Sequence, residues 1–558
     1  MSQHRLRMVT TRRRRQAALV AIGLMLAAVA VAAPAPASQR PNFLVIVADD
    51  LGYSDLGSFG GEIETPNLDR LAREGLRFSA FHAAATCSPS RAMLLTGVDA
   101  HKAGLGNMAE DLAPNQEGHE EYLGYLNTHV ATLAERLQDA GYATYMAGKW
   151  HLGGADSQSP AARGFERSFA LMQGGASHYD MTGPSAGSPR ARYRRDGRLI
   201  DRLPRGFYST DYYASQMIEY LRSDRQRRPF FAYLAFTAPH WPLQAPEQLI
   251  RKYQARYATG PAALREQRLD GLLREGLLTE AVQAHPAVPP TPEWSSLSAE
   301  AQRREARKMA IYAAMIDSLD TNVGRVLAQL RKSGELDNTV IIFLSDNGAE
   351  AHDLSADPYF TDWVAKGDQR FDRLGRPGSF VYYGLQWGQA GTVPWRLYKG
   401  YPTEGGIRVP AFIWRKDPGT QGINRSLISV MDVTPTLLDL AGVEYSDTTF
   451  RGRTVHAIEG RSLRPVLEGR ATSVRSDADF LGWELFGRSA IRSGNWKAVQ
   501  LGQQDSNRRW ELYDLATDPA EMRDLAAEQP ARAKAMLEFW QRYATENRVI
   551  LPDVVSAY

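Results

Sequence analysis

The chain has 558 residues, of which 43% are hydrophobic, 10% aromatic and 23% charged, which excludes a disordered or fibrous polypeptide and leaves room for more than one domain. Its net charge of +3 comes from a leader: residues 1–37 hold six arginines and no acid, and beyond them 60 basic residues face 63 acidic ones. The body therefore carries −3, whereas a surface that tracks phosphates keeps its positive charge, so no nucleic-acid partner is expected.

Arg5, Arg7 and Arg12 to Arg15 precede an apolar run from Ala17 to Ala33, and Ala35-Pro-Ala37 fits a small-residue cleavage site. Residues 1–37 read as a signal peptide cleaved after Ala37, which makes the protein exported, periplasmic or secreted. The competing reading is an uncleaved anchor, although the run is just short of a comfortable bilayer span. No later segment is apolar for long enough to cross, so no stable membrane insertion is expected after cleavage. Cys87 is the one cysteine and cannot form a disulfide within the chain.

Phe43 to Ala48 is a continuous apolar run, the pattern of a strand buried on both faces. Thr65 to Gly75 predicts a short helix capped by Thr65, with Pro66 in its first turn. Val130, Leu133, Ala134 and Leu137 form one helical face closed by Gly141, and Phe230 to Phe236 reads as a strand. Helical spacing runs from Met309 to Leu330, and Val340 to Leu344 is a buried strand that ends at Ser345-Asp-Asn-Gly348. Val409 to Trp414 reads as a strand, and Leu437 to Gly442 as the end of a helix. Residues 245–307 and 352–398 break the rhythm, as site walls or surface decoration do. Short strands, Ser489 to Ile491 and Trp496 to Leu501, then precede a helix from Ala531 to Glu546. The fold class is α/β: a large, mostly parallel sheet flanked by helices over residues 38–465, then a smaller C-terminal α+β domain over 466–558.

Chemistry concentrates at strand ends. Asp49-Asp50 and Asp346-Asn347 each follow a buried strand, where ligands gather in open α/β sheets. Together they offer hard oxygens suited to Ca²⁺ or Mg²⁺, though each pair alone also fits a cap or turn. Cys87-Ser-Pro-Ser-Arg91 places Pro89 in the first turn of a helix, whose free N–H groups and dipole would receive an anion beside Arg91.

Cys87 to Gly97, Gly148-Lys-Trp-His-Leu-Gly153, Pro41 to Gly52 and Ser345 to Gly348 together resemble the type I sulfatases of the alkaline-phosphatase superfamily. Leu397-Tyr-Lys-Gly400 with Glu404 to Pro410 is similar to bacterial arylsulfatases in particular. The resemblance implies an alkaline-phosphatase-like fold and hydrolysis of a small-molecule sulfate ester. It also implies conversion of Cys87 to Cα-formylglycine by a sulfatase-maturation enzyme. One calcium ion would sit on Asp49, Asp50, Asp346 and Asn347. Arg91 would stabilise the aldehyde hydrate, and Lys149 and Lys399 would hold sulfate oxygens. His240 would serve the leaving group, and His151 would take the proton in the elimination step. Read without those motifs, His151 and His240 are satisfied half-buried histidines and Lys399 is a surface lysine. A formylglycine-dependent phosphonate monoester or phosphodiester hydrolase is the nearest alternative activity, and an inactive sulfatase-fold binding protein a remoter one.

Overall fold

The structure, a computed structural model, describes residues 40–280, 282–288, 293–354, 358–417, 419, 421–502 and 509–554; the expected leader, residues 1–37, lies outside them. Ten strands form one sheet: β1 Asn42–Ala48, β2 Leu76–Phe78, β3 Ala143–Lys149, β4 Arg167–Leu171, β5 Tyr193–Arg195, β6 Arg198–Ile200, β7 Phe230–Ala235, β8 Thr339–Ser345, β9 Ala411–Trp414 and β10 Gly422–Asn424. Their spatial order is β10-β2-β9-β8-β1-β7-β3-β4-β5-β6. The centre, β8-β1-β7-β3-β4, is parallel throughout, while β9 and β5 join it antiparallel. The sheet is thus mixed around a parallel core.

All seven residues of β1 are buried, and its side chains divide by parity. Leu44 and Ile46 enter one apolar cluster, while Phe43, Val45 and Val47 enter another on the opposite face. That alternation is the period-2 geometry of a strand, and covering both faces is what demands an unbroken apolar run. The first face is covered by the 34-residue helix Ala299–Lys332, through residues such as Met309, Ile316, Leu319 and Val323. On the other face lies the helix Cys87–Thr96, which contributes Leu94 and Leu95.

Several elements depart from the sequence reading. The helix Pro66–Glu74 forms, but Thr65 makes no side-chain cap; its hydroxyl donates instead to Asp69 Oδ1 at 3.0 Å. The next helix spans Leu133–Asp139, with Thr132 and Glu135 forming a capping box that fixes its start and leaves Val130 outside. Strands β5 and β6 carry no apolar run, because arginines at 194, 195 and 198 interrupt them, while the short buried run Phe169 to Leu171 of β4 went unread.

Four antiparallel strands, β11 Leu481–Leu485, β12 Arg488–Ser493, β13 Trp496–Gln500 and β14 Glu511–Asp514, make a second sheet. The helix Pro530–Glu546 packs Met536 and Tyr543 against Ile491, Ala498 and Leu512 of that sheet. The described residues from 41 to 554 form one compact unit, and a buried histidine ties its parts together. His101 Nδ1 lies 2.9 Å from Asp99 Oδ1, and its Nε2 lies 3.5 Å from Glu484 Oε2 on β11. Tyr543 donates to Asp99 Oδ2 at 2.9 Å.

Burial alone would lower the His101 pKa, but the hydrogen bond to Asp99 and the nearby carboxylates of Asp99 and Glu484 outweigh it and raise the value to about 9. The folded value lies above the unfolded one, so this stabilisation is complete below about pH 6.5 and fades as pH rises through about 9. Thermal melts of wild type and His101→Gln should differ by about 3 kcal/mol at neutral pH and converge above about pH 9. A constant gap across that range would remove the ion pair from the account.

Candidate active site

The parallel register pairs Ala48 with Ser345, so Asp49-Asp50 and Asp346-Asn347 leave adjacent strand ends side by side. The Asp50 amide donates to Asp346 Oδ1 at 3.2 Å, and Asn347 Nδ2 donates to Asp50 Oδ1 at 2.7 Å. Asp50 takes a left-handed φ of 65°, a region that aspartate tolerates better than most residues.

Cys87 opens its helix directly over these acids. Its Sγ lies 3.4 Å from Asp49 Oδ1 and 3.7 Å from Asp50 Oδ1, and it is 1% exposed. One turn on, Arg91 is fully buried, with Nε 2.8 Å from Asp346 Oδ2 and Nη1 donating to the Lys149 carbonyl at 2.9 Å.

Lys149 ends β3 and grips both Asp49 oxygens, at 2.8 and 2.7 Å. Gly148 just before it has φ 123°, and a Cβ there would fall 1.7 Å from the Ala235 carbonyl on β7. Only glycine lets β3 approach β7 closely enough to deliver the lysine. Lys399 reaches Asp50 Oδ1 at 3.0 Å and Glu350 Oε2 at 3.1 Å, and its 1% exposure rules out a surface role.

His240 lies beyond the end of β7. A carbonyl can only accept, so Nδ1, 2.6 Å from Trp241 O, carries the hydrogen, and Nε2 faces Asp50 Oδ2 at 3.5 Å. His178 steadies that loop, donating through Nε2 to the His240 carbonyl at 3.2 Å. His151 has a left-handed φ of 54°; its Nε2 lies 2.9 Å from Glu110 Oε1, while Nδ1 is buried without a hydrogen-bond partner.

All ten residues singled out in the sequence are buried, and the contacts above bring nine of them together around Cys87; His151 stands beside Glu110, two residues beyond Lys149. Glu110 and Glu350 were missed. Glu350 follows Asn347 by three residues and could have been found from that spacing, whereas Glu110 lies in an unpatterned loop. Tyr53, His82 and His101 serve other contacts, with Ser79, Glu404 and Asp99 respectively. A separate groove of about 760 Å³ beside Pro66–Glu74 includes none of the site residues, and its Arg70 and Arg73 pair with Glu74 and Glu275.

The site is under-compensated in charge. Asp49, Asp50, Asp346 and Glu350 face Arg91, Lys149 and Lys399, an excess of one negative charge when all are ionised. Burial pushes the Asp49 carboxyl up to about 7 even with Lys149 attached, and raises Asp50 against the pull of Lys399. Burial works upward on Asp346 too, but Arg91, Lys149 and Lys399 hold it below its ordinary value. The buried Cys87 thiol is pushed well up despite both lysines, so as a thiol it would be a poor nucleophile. Burial, then Lys399 and Lys149, drive His240 well down, which keeps its imidazole neutral.

Asn347 Oδ1 is buried with no hydrogen-bond partner, while its amide nitrogen is engaged with Asp50. A buried acceptor left unpaired costs about 1–3 kcal/mol, and a cation is the natural partner for an oxygen set among carboxylates. Ligand atoms of Asp49, Asp50, Cys87 and His240 lie within 4.8 Å of one another, a spacing one metal ion can bridge.

Sheet order, strand-end acids and the buried helix terminus define an α/β protein with a buried, charged site at the ends of its parallel strands. The Sulfatase family model matches residues 41–443, and the N-sulphoglucosamine sulphohydrolase, C-terminal, model matches residues 396–547. The chain belongs to the sulfatase family, the sulfuric ester hydrolases. It is 44% identical over 532 residues to an uncharacterized sulfatase of Schizosaccharomyces pombe, covering 92% of this chain and 96% of the other. An arylsulfatase of Klebsiella aerogenes is 38% identical over 444 residues, covering 79% of this chain and 94% of its own. A solved sulfatase from Pseudoalteromonas sp. shares the fold at a TM-score of 0.57 and 20% identity, with 91% and 90% of the two chains covered. Among the described residues no helix is long and apolar enough to cross a membrane.

Proposed function

We propose that this protein is an exported arylsulfatase-type enzyme that cleaves sulfate esters through a formylglycine made from Cys87, with one calcium ion on Asp49, Asp50, Asp346 and Asn347. The observation that carries the reading is the seat of Cys87: a buried helix terminus, 3.4 Å from Asp49, ringed by two lysines and an arginine. As a thiol in that place Cys87 has no use as a nucleophile, whereas the hydrate of an aldehyde supplies two hydroxyls on one carbon, one to attack sulfur and one to expel sulfate. Calcium, when bound, supplies Lewis-acid polarisation of sulfate and nucleophile oxygens.

The chain's own residues do the rest. Lys149 and Lys399 place two ammonium groups where negative charge develops on the sulfuryl oxygens. Arg91 fixes Asp346 and Asp49 from behind, and with Lys149 and Lys399 it holds Asp346 below its ordinary value against burial. His240 holds a lone pair on Nε2 in the free protein, so it must gain a proton before it can assist a leaving oxygen. Burial is the main cause that holds it neutral, and an ester anion between Lys149 and Lys399 would offset the two lysine charges that add to it. The hydrophobic leader supports export, and the second sheet supports a C-terminal subdomain from about residue 466.

Trypsin releases Phe78 to Arg91 as one peptide carrying Cys87. In protein from its own host that peptide should be lighter by the difference between cysteine and formylglycine. The same preparation should turn over an aryl sulfate faster than the matched aryl phosphodiester. An unmodified thiol with sulfatase activity would sink the formylglycine route, and a phosphodiester preference would sink the sulfate assignment.

A further inference from the structure

Glu110 is the acidic neighbour of His151 and belongs to none of the motifs that mark the site. Its Oε1 lies 2.9 Å from His151 Nε2, and its side chain is 49% exposed while the histidine is buried. A carboxylate at that distance accepts, so Nε2 carries the hydrogen and Nδ1 the lone pair. Nδ1 is buried with no hydrogen-bond partner, two residues beyond Lys149, whose ammonium sits on Asp49 beside Cys87. The pair is held in a fitted slot. Gly174 packs over it, where a Cβ would come within 2.7 Å of His151 Cε1 and 2.9 Å of Glu110 Oε1. The His151 backbone adopts φ 54°, a sparsely populated region that persists only when its surroundings impose it.

We infer that Glu110 is the positioning residue of His151: it fixes the tautomer that leaves Nδ1 basic and gives the captured proton a way out to solvent. The inference rests on the formylglycine reading above. In its second step the hydroxyl remaining on the residue-87 carbon loses its proton to Nδ1. The O–H electron pair closes the C=O bond, the C–OSO₃ bond breaks, and sulfate leaves with that bond's pair. His151 is then doubly protonated and cationic. Glu110 stabilises that cation and accepts from Nε2–H, so the proton can pass through a half-exposed carboxylate to water. Water afterwards adds across the aldehyde and restores the hydrate. A carboxylate that orients a histidine from behind in this way is worth about tenfold to a hundredfold.

The kinetic consequence separates this role from a structural one. Slowing only the second step lowers kcat and KM together, leaves kcat/KM nearly unchanged, and produces a burst of alcohol or phenol equal to the enzyme. Glu110→Gln, purified with residue 87 shown to be aldehyde, should lose about tenfold to a hundredfold in kcat with that burst. Glu110→Asp should recover part of the loss, and Glu110→Gln in a His151→Ala background should cost nothing more. Three results would overturn the proposal: unchanged kcat in Glu110→Gln, a fall in kcat/KM without a burst, or an undiminished effect when His151 is absent. Should aldehyde-bearing wild type fail to turn over any sulfate ester, the fault lies in the proposed function instead.

Discussion

Cys87→Ala should lose turnover by on the order of 10⁶-fold, the scale seen when a covalent nucleophile is removed, while the protein still folds. The loss follows from position. The Cys87 Sγ contacts carboxylate oxygens of Asp49 and Asp50, which are themselves engaged by Lys149 and Lys399. Folding should survive because alanine removes one sulfur from a helix whose other contacts, Leu94 and Leu95 among them, are untouched. A stability cost of about 1 kcal/mol is expected for so small a deletion in a packed site. Removing the thiol also removes a weak donor to two carboxylates, which lysines and arginine still satisfy. The measurement is steady-state hydrolysis of an aryl sulfate, with melting temperature as the folding control. Activity within tenfold of wild type, at unchanged melting temperature, would dismiss Cys87 as the source of the nucleophile.

The centre of this fold could be read from the sequence because its burial demands a pattern. Strand β1 is apolar from Phe43 to Ala48 since both of its faces are covered, and β7 and the interior of β8 show the same run for the same reason. At the antiparallel edge of the sheet that demand lapses, and Arg194, Arg195 and Arg198 hide β5 and β6. Lys399 shows a different limit. Spacing alone could not distinguish it from a surface lysine, and its 1% exposure comes from a loop folded by distant contacts. Glu110 was illegible altogether, since nothing near it in sequence points to a histidine 41 residues away. Apart from Lys399, the motif residues were legible because each follows a strand end or lies in the first turns of a helix; the residues that support them are joined to the site only in space.

Exhaustive chelation should abolish turnover and lower the melting temperature, and added Ca²⁺ should restore both. The charges require it: three carboxylates and Glu350 are buried against only three cations, and Asp49 is driven up to about 7 by burial. Bringing a sulfate ester, itself an anion, into that excess of negative charge would be unfavourable. A divalent ion inverts the balance and supplies the unpaired Asn347 Oδ1 with a partner. An ion that bound the folded acids and not the unfolded chain would raise stability by about 3 kcal/mol at a hundredfold excess over its dissociation constant. Ca²⁺ should serve better than Mg²⁺: it accepts more oxygen ligands in a looser geometry, whereas Mg²⁺ demands a near-ideal octahedron. Asp346→Asn should weaken this response, since it removes a charge from the ligand set and leaves Arg91, fully buried, with only the 3.6 Å contact to Asp49 among its carboxylate partners. The decisive control is elemental analysis. A preparation shown to be metal-free that keeps full activity and an unchanged melting temperature would mean that the lysines and arginine alone balance these acids, and the ion would leave the account.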